Sequence, residues 1–239
     1  LAETNEERLA LLNQAEQRLF EARDINPLNT DHTANLARLY TRWAVATGDP
    51  GESALLLDQA ESQYRSALEI SPQNSIIRNE YARLAFDLRR DCDLSIEIFR
   101  ESLARDPFFA DTFFNFSDVL TACAEAQGNE AAAQELYQYA IESLEAGLGI
   151  LPKQVRGWLL AGQINQRLSR YDASLEALEQ ARSLNEQSGQ PTWNVDFLEA
   201  DVYREMGDNP QARALAEKAL KTAPADIALQ IETFLDTLE

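Results

Sequence analysis

Five prolines recur along this chain in the same local context: Pro27, Pro72, Pro107, Pro152 and Pro224. Each follows a small residue by five positions, and these small residues are Ala22, Ala67, Ser102, Gly147 and Ala219. A proline cannot continue the helix that precedes it, and it disfavours helical backbone at the residue before it. The recurrence therefore predicts a repeat in which a helix ends shortly before each proline.

The composition between the prolines favours helix throughout. Ala, Leu, Glu, Gln and Arg dominate, whereas the 239 residues include 9 Gly and 8 Pro, and such a composition suits helices. Val and Ile are sparse and never alternate with polar residues over the length of a strand. No apolar run approaches the roughly 18 residues that a membrane-spanning helix needs. We predict an all-α chain that does not itself insert into a membrane.

The clearest repeat unit lies in the second half of the chain. It contains, in order, Trp158, Ala161, Gly162, Asn165, Tyr171, Ser174, Leu178 and Ala181. This unit resembles the tetratricopeptide repeat, in which W-x₂-L-G-x₂-Y is followed by A-x₃-F and a closing proline. Asn165 replaces the usual Tyr, and the closing proline is absent. Parts of the pattern recur in phase at Leu36, Ala37 and Tyr40, and at Ala200, Tyr203 and Gly207.

The resemblance implies a right-handed superhelical solenoid of antiparallel helix pairs, whose inner surface is formed by the first helix of each pair. We expect a single array over residues 1–239, with about five pairs between an N-terminal helix and a C-terminal capping helix. The predicted bounds are 5–24 for the first helix, 31–70, 75–105, 110–150, 155–184 and 192–222 for the pairs, and 226–238 for the last helix.

The intervals between the first four prolines are 45, 35 and 45 residues, and a further 34 residues lead to Glu186, where the next proline is missing. Long and short repeats therefore alternate. A shift of 80 residues aligns Pro27 with Pro107, Gly48 with Gly128, and Ala60 with Ala140. We infer a repeat duplication whose unit is two helix pairs, with chance similarity among the repeats as the alternative. The additional residues fall between the helices of the first and third pairs, so we expect them to lengthen both helices there.

Helical spacing selects the positions on the first helices that are expected to face a partner. The chain has a net charge of −19, yet several of these positions hold arginine, which can bind a carboxylate through two parallel hydrogen bonds. Phe86 and Phe114 are candidates for an apolar anchor beside them. The candidate groove comprises Arg38, Arg42, Asn79, Arg83, Phe86, Phe114, Asp118, Arg156, Gln163, Arg167 and Arg204. In the alternative interpretation these arginines are ordinary surface residues paired with Asp87, Asp118, Asp201 and Glu205.

These features favour a non-catalytic scaffold that binds a protein or peptide partner, with an acidic group as the candidate ligand of the arginines. The negative charge argues against nucleic acid, whose phosphates it repels. His32 is the only histidine, and no phosphate-binding, dinucleotide-binding or nucleophile motif occurs. We therefore expect no cofactor, no metal site and no enzymatic activity in this fragment, although a parent chain could be an enzyme.

Residues 24–40 resemble the repeat tails of bacterial membrane proteins of the O-antigen ligase/polymerase type. That resemblance implies an extracytoplasmic accessory domain of a membrane-anchored glycosyltransferase, and a cytoplasmic protein is the alternative. The chain begins at Leu1 rather than Met, so we expect a piece of a longer protein. A third hypothesis is a structural module that self-associates through its ends or through the long helix pairs.

The two cysteines, Cys92 and Cys123, have no CxxC spacing and no neighbouring histidine. We expect two free thiols, and a disulfide is the alternative. The sequence leaves the redox compartment open.

Overall fold

The computed structural model describes residues 5–238, and every regular element within them is an α-helix. The all-α prediction is confirmed, with an N-terminal helix, five helix pairs and a C-terminal helix. In chain order the helices are α1 (Asn5–Ile25), α2 (Thr30–Ala46), α3 (Pro50–Ile70), α4 (Ser75–Asp87), α5 (Cys92–Arg105), α6 (Ala110–Glu125), α7 (Glu130–Ile150), α8 (Val155–Arg167), α9 (Tyr171–Gln187), α10 (Trp193–Glu205), α11 (Asn209–Leu220) and α12 (Ala225–Asp236).

Helices that are consecutive in the chain pack against each other. The pairs α2 with α3 and α4 with α5 do so in the first half, and α8 with α9 and α10 with α11 do so in the second. The chain divides into two compact units, residues 1–112 and 113–239. The continuous array over the whole chain stays a prediction.

The long and short intervals between prolines correspond to long and short helices. In the first pair α2 has 17 residues and α3 has 21, whereas α4 has 13 and α5 has 14. In the third pair α6 has 16 residues and α7 has 21, while the following α8 has 13. The additional residues therefore lengthen both helices of the first and third pairs, as expected.

Several of these helices have an N-cap residue whose side chain accepts hydrogen bonds from the first turn. Asp49 Oδ1 accepts hydrogen bonds from the backbone N–H groups of Gly51 and Glu52, and Pro50 occupies the first turn of α3. Asp208 caps α11 in the same way, with a proline again in the first turn. These residues satisfy helix N–H groups that have no partner within the helix.

Helix α9 ends three residues later than predicted, at Gln187 instead of position 184. This unit lacks the closing proline, and no proline occurs between residue 153 and residue 190. The helix therefore continues to Gln187, and Gly189, two residues beyond it, has a φ of +67° in the left-handed region. Glycine adopts this conformation readily and commonly terminates a helix.

Small residues lie where the helices of a pair approach closely. The hydroxyl of Ser95 in α5 donates to the Ala82 carbonyl of α4 at 2.8 Å, and Ser174 in α9 donates to the Gly162 carbonyl of α8 at 2.7 Å. Both serines are fully buried. The same contact thus ties the helices of both short pairs together.

Both cysteines, Cys92 at the start of α5 and Cys123 within α6, are disulfide-bonded, and no cysteine of the described residues is free. The expectation of two free thiols is therefore wrong. Disulfide formation depends on how closely two Cβ atoms approach in the fold, which the spacing in the sequence does not show.

None of the helices in the described part of the chain is both long enough and apolar enough to cross a membrane.

Candidate functional site

Arg38 of α2 is bound to Glu80 of α4. Its Nε and Nη2 atoms donate to the two carboxylate oxygens at 2.8 and 3.0 Å, and Nη1 donates to Asn35 Oδ1 at 2.8 Å. The hydrogen bond to Glu80 raises the pKa of the Arg38 guanidinium, against the opposing effect of burial. All three guanidinium nitrogens donate hydrogen bonds, and those to Glu80 connect α2 with α4. Arg38 therefore stabilises the contact between the first helices of the first and second pairs.

Arg42 and Arg83 each lie one turn beyond this ion pair, on α2 and α4. Arg42 is exposed and has no hydrogen bond or ion pair with any residue in the described range 5–238. Arg83 Nε donates to Asp87 Oδ2 at 3.0 Å on its own helix, and the two side chains are 38% and 41% exposed. Phe86 is half-buried beside them, with the Arg90 guanidinium 6.0 Å from its ring centroid.

Asn79 and Phe114 are buried, so the prediction that they are exposed on the inner surface is wrong. Asn79 is 5% exposed, and its side chain donates to Thr112 Oγ1 and accepts from Ser102 Oγ, both at 2.9 Å. Phe114 is 6% exposed and packs against α8, where a Cβ at Gly157 would stand 3.0 Å from its ring. The first helices are covered on their flanks, so their exposed stripe is narrower than helical spacing alone indicates.

In the second unit two arginines of α8 reach carboxylates of α6. Arg156 Nη2 donates to Asp118 Oδ2, and Arg167 Nη2 donates to Glu125 Oε1 at 3.5 Å. The Arg156 and Arg167 side chains are 67% and 54% exposed. Gln163 lies between them on α8, exposed and without a hydrogen bond to any other described residue.

A third polar contact joins α8 to α10. Gln166 Nε2 donates to Asp201 Oδ2 at 2.7 Å, and Arg204 donates to Asp201 Oδ1 from Nε at 2.9 Å and from Nη2 at 2.5 Å. The Arg204 guanidinium also lies 5.5 Å from the ring centroid of Phe234. The paired arrangement, which was the alternative interpretation of the arginines, is thus present at Arg83, Arg156 and Arg204.

Sequence reasoning missed Glu80 and Glu125 as partners of arginines. A signal was available, because the pairs Arg38–Glu80 and Glu125–Arg167 are both separated by 42 positions. Two opposite charges separated by 42 positions therefore indicate that the first helices of two successive pairs lie side by side.

The most deeply buried carboxylate among the described residues lies at the start of α10. Asp196 is 1% exposed and accepts hydrogen bonds from Arg182 Nη1 at 2.5 Å, Lys218 Nζ at 2.8 Å and Thr192 Oγ1 at 3.1 Å. Arg182 also donates to Glu199 at 2.5 Å. Burial of Arg182 opposes its charge, but the hydrogen bonds to Glu199 and Asp196 outweigh burial and raise its pKa. This network joins α9, α10 and α11 and is fully paired.

Within residues 5–238 no three His, Cys, Asp or Glu side chains lie close enough together to hold a metal ion.

Residues 155–188, which comprise α8, α9 and the following turn, match the family model of the tetratricopeptide repeat. The resemblance noted from the sequence is confirmed for this segment. No curated protein matches the chain.

Three solved structures are similar to the chain in fold. PilW, a widely conserved type IV pilus biogenesis factor, has a TM-score of 0.65 and 17% identity, over 93% of this chain and 91% of PilW. YrrB, a TPR protein with an unusual peptide-binding site, has a TM-score of 0.61 and 14% identity, over 90% of this chain and 97% of YrrB. TTC0263, a thermophilic TPR protein of Thermus thermophilus, has a TM-score of 0.59 and 21% identity, over 84% of this chain and 98% of TTC0263.

At these identities the similarity shows the fold alone. The chain has the fold of tetratricopeptide repeat proteins and contains one matched repeat at residues 155–188. The resemblance of residues 24–40 to O-antigen ligase repeat tails gains no support from these comparisons and stays a prediction.

Proposed function

We propose that this chain, with its tetratricopeptide repeat fold, is a non-catalytic scaffold that forms one array and binds a peptide of a protein partner through its first helices. Two of the similar proteins support this general function, because YrrB is described as having a peptide-binding site and PilW as a factor in pilus biogenesis. The surface of Arg42, Arg83 and Phe86 is the part of the fold that we assign to an acidic group of the peptide.

One observation carries this assignment: Arg42 is exposed and without an ion pair among the described residues, in a chain whose net charge is −19. Arg83 is held by Asp87 alone, and an exposed pair spaced by four residues on one helix contributes only about 0.3–0.5 kcal/mol. A carboxylate from a partner can replace Asp87 at this small cost. Phe86, which is half-buried beside Arg83, offers apolar area to a neighbouring side chain of the same peptide.

The first helices of the second unit offer a second segment for the same function. Arg156 and Arg167 are more than half exposed although each contacts a carboxylate of α6, and Gln163 is free to donate and accept. Charged groups at the edge of an interface affect association rate and specificity more than affinity. We therefore expect Arg156, Arg167 and Gln163 to determine which partner binds, and Arg42 and Arg83 to contribute more to the affinity.

Selection of peptides from a random phage-displayed library on the immobilised chain tests the proposal. We expect enrichment of peptides that combine Asp or Glu with an apolar residue, and loss of their binding to the double variant Arg42→Glu, Arg83→Glu. Arg18→Glu is the matched control, because Arg18 is a 70% exposed arginine on α1 that pairs within its own helix with Glu21. Enriched peptides without acidic residues, or peptides that bind the double variant as tightly as the control, would contradict the assignment.

We also propose that the chain functions in an oxidising compartment outside the cytoplasm. The supporting observation is that Cys92 and Cys123 are both disulfide-bonded, since disulfides persist in extracellular and periplasmic proteins and are rare in reducing cytosol. This location fits the accessory-domain hypothesis, but equally any exported scaffold. Counting free thiols in the denatured, unreduced protein tests it.

A further inference from the structure

A cleft of about 780 Å³ opens between α7, α8 and α9 in the second unit. Its apolar lining includes Ile141, Leu148, Trp158, Ala161 and Ala177. The cleft lies largely between the second helices α7 and α9, so it shares no residue with the arginine surface assigned above. Its volume falls within the range of about 300–1,000 Å³ that is usual for ligand pockets.

Asn165 of α8 lines this cleft with an unpartnered amide. The residue is 7% exposed, and its carboxamide makes no hydrogen bond with any other residue of the described chain. The carboxamide is not among the fully buried polar atoms that lack a partner, so it reaches the accessible surface of the cleft. A ligand in the cleft can therefore donate to it or accept from it in place of water.

Residue 165 differs from the repeat pattern at the edge of this cleft. The tetratricopeptide pattern has Tyr at this position, and Tyr40 and Tyr203 occupy it in the first and fifth pairs. Tyr40 is 3% exposed, and its hydroxyl donates to Glu16 at 2.5 Å. At residue 165 the side chain is the smaller asparagine, which places an amide at the surface of the cleft.

The charges around the cleft are all negative. Its ionisable lining residues are Glu145, Glu176 and Glu179, and none of the lining residues is basic. Glu145 and Glu176 have no ion pair in the part of the chain that the structure describes. Glu179 is 3.3 Å from Arg182, but that arginine is also bound at 2.5 Å by both Asp196 and Glu199. The cleft therefore favours a cation at its edge.

We propose that this cleft binds a peptide segment of a partner protein in which an apolar side chain is flanked by lysine or arginine. The apolar side chain occupies the space between Leu148, Trp158 and Ala177. The peptide backbone hydrogen-bonds the Asn165 carboxamide, and the cationic group lies against Glu145 and Glu176. This second site prefers basic peptides, whereas the arginine surface prefers acidic ones, so the two can be separated by experiment.

Fluorescence anisotropy with two sets of synthetic peptides tests the proposal on the full chain. One set has a central Leu or Phe flanked by lysines, and the matched set has glutamates in place of the lysines. We expect binding from the lysine set and at least a tenfold loss in the variant Asn165→Tyr, which fills the cleft. Asn165→Ala removes only the amide and should weaken binding roughly tenfold, the equivalent of one hydrogen bond.

Two further variants keep the test decisive if Asn165→Tyr fails to fold. Glu145→Lys combined with Glu176→Lys changes exposed residues, so the fold is retained, and it should abolish the preference for the lysine set. Glu217→Lys, an exposed residue of α11 that has no ion pair among the described residues, is the matched control and should bind as the wild type does. Absence of binding by the lysine set, equal binding of the glutamate set, or unchanged binding by a folded Asn165→Tyr variant would each overturn the proposal.

The proposal for the arginine surface and the proposal for the cleft can be contradicted independently of each other. Arg42→Glu with Arg83→Glu should leave binding of the lysine peptides unchanged, because those arginines belong to the first unit and to another surface. If that variant abolishes binding of the lysine peptides, the assignment of these peptides to the cleft is wrong.

Discussion

Gly162 of α8 faces Leu178 of α9 so closely that a Cβ at residue 162 would stand 2.7 Å from Cγ of the leucine. Leu178 is fully buried and belongs to a cluster with Ala181, Val195 and Val202, so it has little room to move. The Ser174 hydroxyl, which bonds the Gly162 carbonyl at 2.7 Å, holds the same close approach. The glycine is therefore required by the distance between two helices.

We predict that Gly162→Ala destabilises the protein by about 1–3 kcal/mol, because the methyl group forces Leu178 or the helix to shift. This loss exceeds the gain in helix propensity of about 1 kcal/mol. Gly149→Ala in α7 is the matched control, since a Cβ there meets nothing within 4 Å, and it should stabilise by about 0.5–1 kcal/mol. Urea unfolding followed by circular dichroism measures both, and equal shifts in one direction would contradict the explanation.

A second prediction concerns the buried carboxylate of Asp196. Asp196→Asn should cost about 3–5 kcal/mol, because it leaves the Arg182 charge in a buried position with one carboxylate fewer. Glu21→Gln is the control, since its pair with Arg18 is exposed on both sides, and such pairs contribute about 0–1 kcal/mol. Thermal unfolding of both variants checks this, and a loss below about 1 kcal/mol for Asp196→Asn would show that the network is not structural.

The third prediction is a loss of stability in alkali. Burial raises the pKa of Tyr81 to about 12, assisted by its hydrogen bond to Glu61, and burial also raises the pKa values of Tyr40 and Tyr64. The folded state thus favours the protonated phenols, since an unperturbed tyrosine has a pKa near 10. This stabilisation is complete below about pH 10 and is lost as the pH rises towards about 12.

Chemical denaturation at a series of alkaline pH values, with tyrosinate absorbance as the second readout, measures this effect. Tyr81→Phe cannot ionise at residue 81, so its stability should fall less steeply with pH than that of the wild type. Parallel curves for the two proteins would show that Tyr81 does not carry the effect.

The fourth prediction follows from the disulfide-bonded cysteines. Alkylation of the denatured, unreduced protein should label neither Cys92 nor Cys123, and alkylation after reduction should label both, as read by intact mass. Removal of a native disulfide typically costs about 2–5 kcal/mol, so the variant Cys92→Ser, Cys123→Ser should unfold at lower denaturant concentration. Full labelling without reduction would contradict both the disulfide and the proposed oxidising compartment.

Features governed by local chemistry could be predicted from the sequence. The prolines locate the helix ends before Pro27, Pro72, Pro107 and Pro152, because proline restricts the backbone of its own residue and of the one before it. Asp49 and Asp208 are also recognisable as helix N-caps from the sequence, because their side chains accept hydrogen bonds from backbone N–H groups only two or three residues ahead.

Features that depend on the distance between helices could not be predicted in this way. Asn79 and Phe114 occupy phases that periodicity assigns to an exposed stripe, yet neighbouring helices cover them. The substitution of Asn165 for tyrosine was visible in the sequence, but the cleft beside it depends on where α7 and α9 lie. The binding roles of the exposed arginines stay predictions, since no ligand contact tests them.

The ion pairs between first helices also bear on how the chain avoids misassembly. Residues 38 and 118 are separated by the same 80 positions that align Pro27 with Pro107, yet one is arginine and the other aspartate. Arg38 is matched by Glu80 in the next first helix, and Asp118 is matched by Arg156. If α2 of one molecule took the place of α6 in another, Arg38 would meet Arg156. Chains built of similar repeats are prone to such exchange during folding, and the opposite charges at these two positions disfavour it by like-charge repulsion.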